Sequence, residues 1–137
     1  MPRITGRFRP GETPLLDVEI GYPKGLTAPG SPVASLVLPL LIDTGARFTH
    51  IAKDVADTLS LIVIGNARVS GGTANAIVET YLADVRFPAT AAAWSGLEPR
   101  QFPNPSPRYR GVLGMDIISK GTLCVDGPRG EFTLTFP

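Results

Sequence analysis

The sequence predicts an all-β fold, mainly strands with one or two short helices, and three observations lead there. Its apolar residues fall in short segments, some of them alternating with polar ones. Glycine (15) and proline (14) are both frequent, so turns are many and long helices are disfavoured. Only residues 51–59 space their apolar side chains as a helix does. The 137 residues, 43% hydrophobic and 18% charged, suffice for one globular domain with a core and hardly for two. One domain over residues 1–137 is therefore expected, with no internal repeat and no linker.

Residues 1–13 admit two alternatives, a flexible arm or a strand at an interface between copies. The basic residues Arg3, Arg7 and Arg9 there read as a solvated arm rather than a binding patch. Residues 15–20 alternate partly between apolar and acidic side chains, the pattern of a half-buried strand. Residues 22–32 hold Pro23, Gly25, Pro29, Gly30 and Pro32 and predict a loop. Residues 33–42 form the next strand, buried on both faces near its end, with Pro39 tolerable only at an edge or a bulge. These two strands make a hairpin that runs into Asp43.

In the helix over 51–59, Ile51, Val55, Ala56 and Leu59 share the apolar side, and Asp54 and Asp57 the wet one. Residues 61–69 and 76–87 read as strands joined through a turn at 70–75, where Gly71 and Gly72 supply positive φ at little cost. Residues 88–110 contain Pro88, Pro99, Pro103, Pro105 and Pro107 and predict a long irregular loop, with a strand or helical turn near 91–94. Residues 122–125 and 131–136 close the chain as a hairpin around the turn at 126–130. The alternating Phe132, Leu134 and Phe136 leave pairing within or between subunits open.

Several function classes drop out. A net charge of +1 gives no electrostatic reason for nucleic acid or an anionic membrane. The longest apolar run, residues 36–42, is too short to span a bilayer, and Pro2, Arg3, Gly6, Arg7, Arg9 and Pro10 break up any leader-like N-terminus, so a cytoplasmic protein is expected. Cys124 is the single cysteine and His50 the single histidine, too few soft ligands for zinc within one chain. Cys124 reads as a buried, inert thiol on a strand, and His50 as a packing or surface residue. Neither a Gly-x-Ser-x-Gly elbow nor a phosphate-binding Gly-x4-Gly-Lys-Ser/Thr loop occurs.

What remains is Asp43-Thr44-Gly45-Ala46, which follows the apolar strand Leu40-Leu41-Ile42 directly. A carboxylate at the end of a buried strand is costly unless hydrogen bonds or a partner charge compensate it. Downstream, Gly111 to Ser119 place two apolar residues and a glycine, Val112-Leu113-Gly114, ahead of a short helical segment. This ordered pair resembles the retropepsin-like (retroviral-type) aspartic proteases, in a single-domain, bacterial-type form, over residues 14–136.

The resemblance implies an acid-protease fold, a closed β-barrel with one lobe per chain. It implies that Asp43 is catalytic and that Thr44, Gly45 and Ala46 support it, Thr44 by hydroxyl bonds across a dimer and Gly45 by orienting the carboxylate. It implies that Val112, Leu113 and Gly114 pack beside that loop. Ser70, Gly71, Gly72 and Thr73 would form the tip of a hairpin flap spanning residues 66–80. Hydrolysis by two carboxylates needs a pair, and the chain holds one Asp-Thr-Gly, so the partner is a second copy and the substrate an extended polypeptide. No cofactor or metal, nucleic acid or membrane enters this scheme. The alternative is a dimeric module of the same fold that binds extended peptides or serves assembly with little or no catalysis. One departure concerns charge: viral members pair an acidic residue after Asp-Thr-Gly-Ala with an arginine after the downstream glycine. Here Arg47 and Asp116 stand in reversed polarity, so an Arg47–Asp116 ion pair is expected, with substrate contact or solvent as the other destinations of Arg47.

Overall fold

The computed structural model describes residues 1–71 and 74–137, and the side chains of all of these except 70, 71, 74 and 75. Strands β1 (Arg3–Arg7), β2 (Leu15–Gly21) and β3 (Ser35–Ile42) come first, with a 3-10 turn at Lys24–Leu26 between the last two. Then follow β4 (His50–Ala52), helix α1 (Lys53–Thr58), β5 (Val63–Gly71), β6 (Ala74–Tyr81), β7 (Ala83–Arg86) and β8 (Ala93–Leu97). The chain ends through β9 (Arg100–Phe102), β10 (Gly111–Leu113), helix α2 (Met115–Ile118), β11 (Thr122–Asp126) and β12 (Glu131–Thr135). Mainly strands with two short helices is the class that the sequence predicts. Among the described residues the strands form two sheets, β1-β12-β11 and β5-β6-β9-β4-β10-β3-β2-β7-β8.

The β2–β3 hairpin supplies much of the core. Val18 and Ile20 on one strand, and Leu38, Leu40 and Ile42 on the other, point inward at alternate positions. Pro39 lies within β3 opposite Asp17. Its carbonyl accepts a bond from the Arg110 amide at 2.9 Å, so its nitrogen faces the side that β10 joins only from Leu41 onward. The missing N–H therefore leaves no ladder bond unmade.

Pairing between distant segments redraws several elements. The helix over 51–59 begins only at Lys53, because residues 50–52 are held as a strand between β10 and β9. The strand over 76–87 divides at Leu82: β6 pairs with β5, and β7 pairs with β2. In the stretch 88–110 the strand alternative near 91–94 is the one found, as β8 paired antiparallel with β7, and the expected loop is broken again by β9, which pairs parallel with β4.

The N-terminal segment forms a strand within its own chain, Ile4 opposite Leu134, so β12 is flanked by β1 and β11. Phe132, Leu134 and Phe136 are buried. Phe136 stacks on Phe87 at 5.5 Å and meets Trp94 edge-on at 4.8 Å, which ties the small sheet to the β7–β8 end of the large one. Cys124 is exposed, contrary to the buried thiol expected. It lies on β11, the outer strand of its sheet, where only Leu123 is partly covered. No helix among the described residues is long and apolar enough to cross a membrane.

Candidate active site

Strand β10 slots between β3 and β4, parallel to the first (Val112 opposite Leu41, Leu113 opposite Ile42) and antiparallel to the second (Val112 opposite His50). The Asp43 amide donates to Leu113 O at 3.0 Å, extending the parallel pairing one residue past β3. There the chain turns: the Ala46 amide donates to Asp43 O at 3.2 Å, and the Gly45 amide donates to Asp43 Oδ1 at 2.9 Å. The carboxylate is thus aimed by its own loop. A Cβ at Gly45 would stand 3.2 Å from Asp43 Oδ1, so any side chain there presses on the carboxylate.

A second layer of bonds locks this loop to α2. Ala46 O accepts from the Met115 amide at 2.8 Å, and Arg47 O from the Asp116 amide at 3.1 Å. Thr49, fully buried, is the hub. Its hydroxyl donates to Asp116 Oδ1 at 2.8 Å and accepts from the Gly114 amide at 3.1 Å, while its own amide donates to Asp116 Oδ2 at 3.0 Å. Gly114 is required by space: a Cβ would lie 2.5 Å from Phe48 O and 2.8 Å from Thr49 N.

These bonds overturn the Arg47–Asp116 ion pair. That pair is not among the ion pairs of the described residues. Both Asp116 oxygens are engaged by Thr49, and Oδ1 accepts from the Ile117 amide as well. Asp116 is a structural acceptor that fixes the loop, and Arg47 is released to the cleft.

That cleft, about 870 Å³, is lined by Asp43, Gly45, Ala46, Arg47 and Val112 among the residues singled out from sequence. Thr44 is exposed beside it, and Leu113 and Gly114 are buried behind it. Ser70 and Gly71 belong to β5, whereas Gly72 and Thr73 lie outside the described residues. Arg68 and Val69 of β5 do reach the cleft.

Sequence reasoning missed Phe48, Arg68 and Arg100, and placed His50 elsewhere. All four line the same cleft. Arg100 sits opposite His50 on β9, and its guanidinium lies over the Phe48 ring, 3.7 Å from the centroid. Burial is the main cause that pushes the His50 pKa below its ordinary value, and the Arg100 charge adds to it. The Phe48 carbonyl and the Asp116 and Asp43 charges oppose that shift. His50 Nδ1 donates to Phe48 O at 2.7 Å, because a carbonyl only accepts. Nε2 is then a bare acceptor, buried and without a partner among the described residues. No local signal marks Arg100: only the non-local β4–β9 pairing brings it here.

Neither a protein-family model nor a curated protein matches the chain. Among solved structures it is similar to the crystal structure of a retropepsin-like aspartic protease from Rickettsia conorii, with a TM-score of 0.63 at 12% identity. The likeness covers 98% of this chain and 91% of that one. It shows a retropepsin-like fold.

Proposed function

We propose that the chain, one domain over residues 1–137, is an aspartic endopeptidase active as a homodimer, with Asp43 of each subunit forming the catalytic pair. One observation carries the reading: in a retropepsin-like fold, the only Asp-Thr-Gly of the chain presents its carboxylate, tethered by the Gly45 amide, to an open cleft. A single such carboxylate cannot run the chemistry, and two-fold symmetry supplies the second.

Two carboxylates brought close cannot both ionise, so the pair holds one proton and titrates as a unit. The ionised member takes a proton from a water as it attacks the scissile carbonyl. The protonated member donates a hydrogen bond to the developing oxyanion and then protonates the leaving amine. The Thr49–Asp116–Gly114 bonds support the geometry from behind. The β5–β6 hairpin acts as a flap over an extended substrate, a role supported by Arg68 and Val69 lining the cleft with Asp43.

The test is cleavage of a mixed peptide library by wild type and by Asp43→Asn, with oligomeric state recorded. Cleavage by a dimer that disappears in the variant is the expected result. A wild type that cuts while strictly monomeric, or a folded dimer that cuts nothing, contradicts the reading.

A further inference from the structure

The cleft beside Asp43 is cationic to a degree that the chain as a whole is not. Net charge is only +1, yet Arg47, Arg68 and Arg100 line this one cavity, and Asp43 is the only carboxylate among its lining residues. The three come from separate elements: the segment after β3, the β5 strand and the β9 strand.

They are also unneutralised. Arg7, Arg86, Arg108, Arg110 and Arg129 each hold a carboxylate within 4.0 Å. Among the described residues Arg47, Arg68 and Arg100 hold none, and neither do Arg3 and Arg9 near the N-terminus. In sequence, residues 70–75 contain no acidic residue that would supply one. Arg100 holds its guanidinium carbon 3.7 Å from the centroid of the Phe48 ring, a contact that positions the group without neutralising its charge.

Closing such a cleft over an apolar segment would strip water from guanidinium groups with nothing in return. A ligand carboxylate replaces the lost water with short, often bidentate bonds. We propose that this cleft selects acidic peptide segments, with Asp or Glu side chains flanking the scissile bond. The proposal rests on the reading of the cleft as a peptide site. In a two-fold dimer the arginines recur on both sides of the paired carboxylates, so acidic residues are favoured both before and after the bond, and basic residues are rejected.

Binding separates this inference from catalysis. Two fluorescent peptide pools, identical but for Glu against Gln, are titrated by anisotropy onto Asp43→Asn protein (Asp43→Ala if the amide variant does not fold). A pH of about 6 keeps glutamate ionised. The Glu pool should bind at least about tenfold tighter, a difference of roughly 1.4 kcal/mol. The preference should shrink between about 0.05 M and about 0.5 M salt, because the charges become screened. Arg68→Gln and Arg100→Gln should each narrow the Glu/Gln ratio. Wild type is run in parallel for cleavage of both pools. A Glu preference in binding with no cleavage of either pool keeps the ligand class and removes the protease. Equal binding of the two pools, or binding of neither, overturns the acidic specificity whether or not wild type cuts.

Discussion

The loop that carries Asp43 and the hairpin that faces it across the cleft are built in opposite ways. The loop is held by partners far along the chain: Leu113 behind Asp43, Met115 and Asp116 on Ala46 and Arg47, and Asp116 and Gly114 on Thr49. The hairpin is held chiefly by itself. β5 and β6 pair with each other. Among the described residues β6 joins the rest of the sheet only near its base, through the Thr80–Arg100 pair and bonds from the Tyr81 amide to Pro99 O and from the Glu79 amide to Gln101 Oε1. Val78 and Tyr81 anchor its base in the core, but Val63, Ile64 and Ile77 stand exposed, Ile77 at 73%. The carboxylate proposed to be catalytic sits on cross-braced backbone, and the hairpin proposed as a flap is tied to the rest of the sheet near Thr80. Local stability should differ accordingly.

Glycines test this contrast most severely. Gly114→Ala drives a methyl into the Phe48 carbonyl and Thr49 backbone, so a loss of about 3 kcal/mol is expected from urea unfolding. Gly65→Ala in β5 meets nothing within 4 Å and should move stability by no more than about 0.5 kcal/mol. Equal losses at the two sites would erase the distinction between brace and hairpin.

Thr49→Val comes next. It keeps the shape but leaves the buried Gly114 amide without an acceptor and removes one of the two donors to Asp116 Oδ1, which keeps the Ile117 amide. The expected cost is about 2 kcal/mol. Where a protease assay is established, the activity loss should exceed that of an exposed hairpin substitution of equal bulk.

The third prediction concerns pH. The folded pKa of His50 lies below the ordinary 6.5, chiefly through burial, so between those two values the unfolded chain binds more protons than the folded one. Stability on this account is full above about 6.5 and falls as pH drops toward the folded value, with a slope of at most about 1.4 kcal/mol per pH unit. His50→Gln should remove that part of the acid loss. Denaturant midpoints from pH 7 to pH 5, wild type against variant, measure it; parallel curves would show that His50 does not titrate with folding. The smallest effect should come from Ile77→Ser on the hairpin, within about 0.5 kcal/mol of wild type in the same assay.

The same contrast governs what was legible in the sequence. Asp43-Thr44-Gly45 and Val112-Leu113-Gly114 could be read because an apolar strand that ends in a tight turn, and an apolar pair that opens a helix, are written locally. The hairpin too was readable, from apolar runs around glycines. The bracing was not. Asp116 suggested a charge partner, but the structure gives it to Thr49, a residue with no charge to advertise the role. β8 could be read only as a strand or a helical turn near 91–94, and β9 went unseen, because β9 is three residues long and both pair with strands from elsewhere in the chain, inside a proline-rich stretch. Arg68 and Arg100 became site residues only once those strands were placed. Cys124 shows the converse error, an apolar-looking strand that ends on the outside of its sheet.

The central claim is that neither subunit cuts alone, because each contributes one Asp43. Wild-type and Asp43→Asn chains are mixed under conditions that allow subunit exchange, at constant total concentration, and peptide cleavage is followed against the wild-type fraction. If each catalytic pair needs both carboxylates, mixed dimers are inert and activity falls as the square of that fraction. Activity that falls in direct proportion to the wild-type fraction would mean that one chain suffices, and would contradict the shared pair.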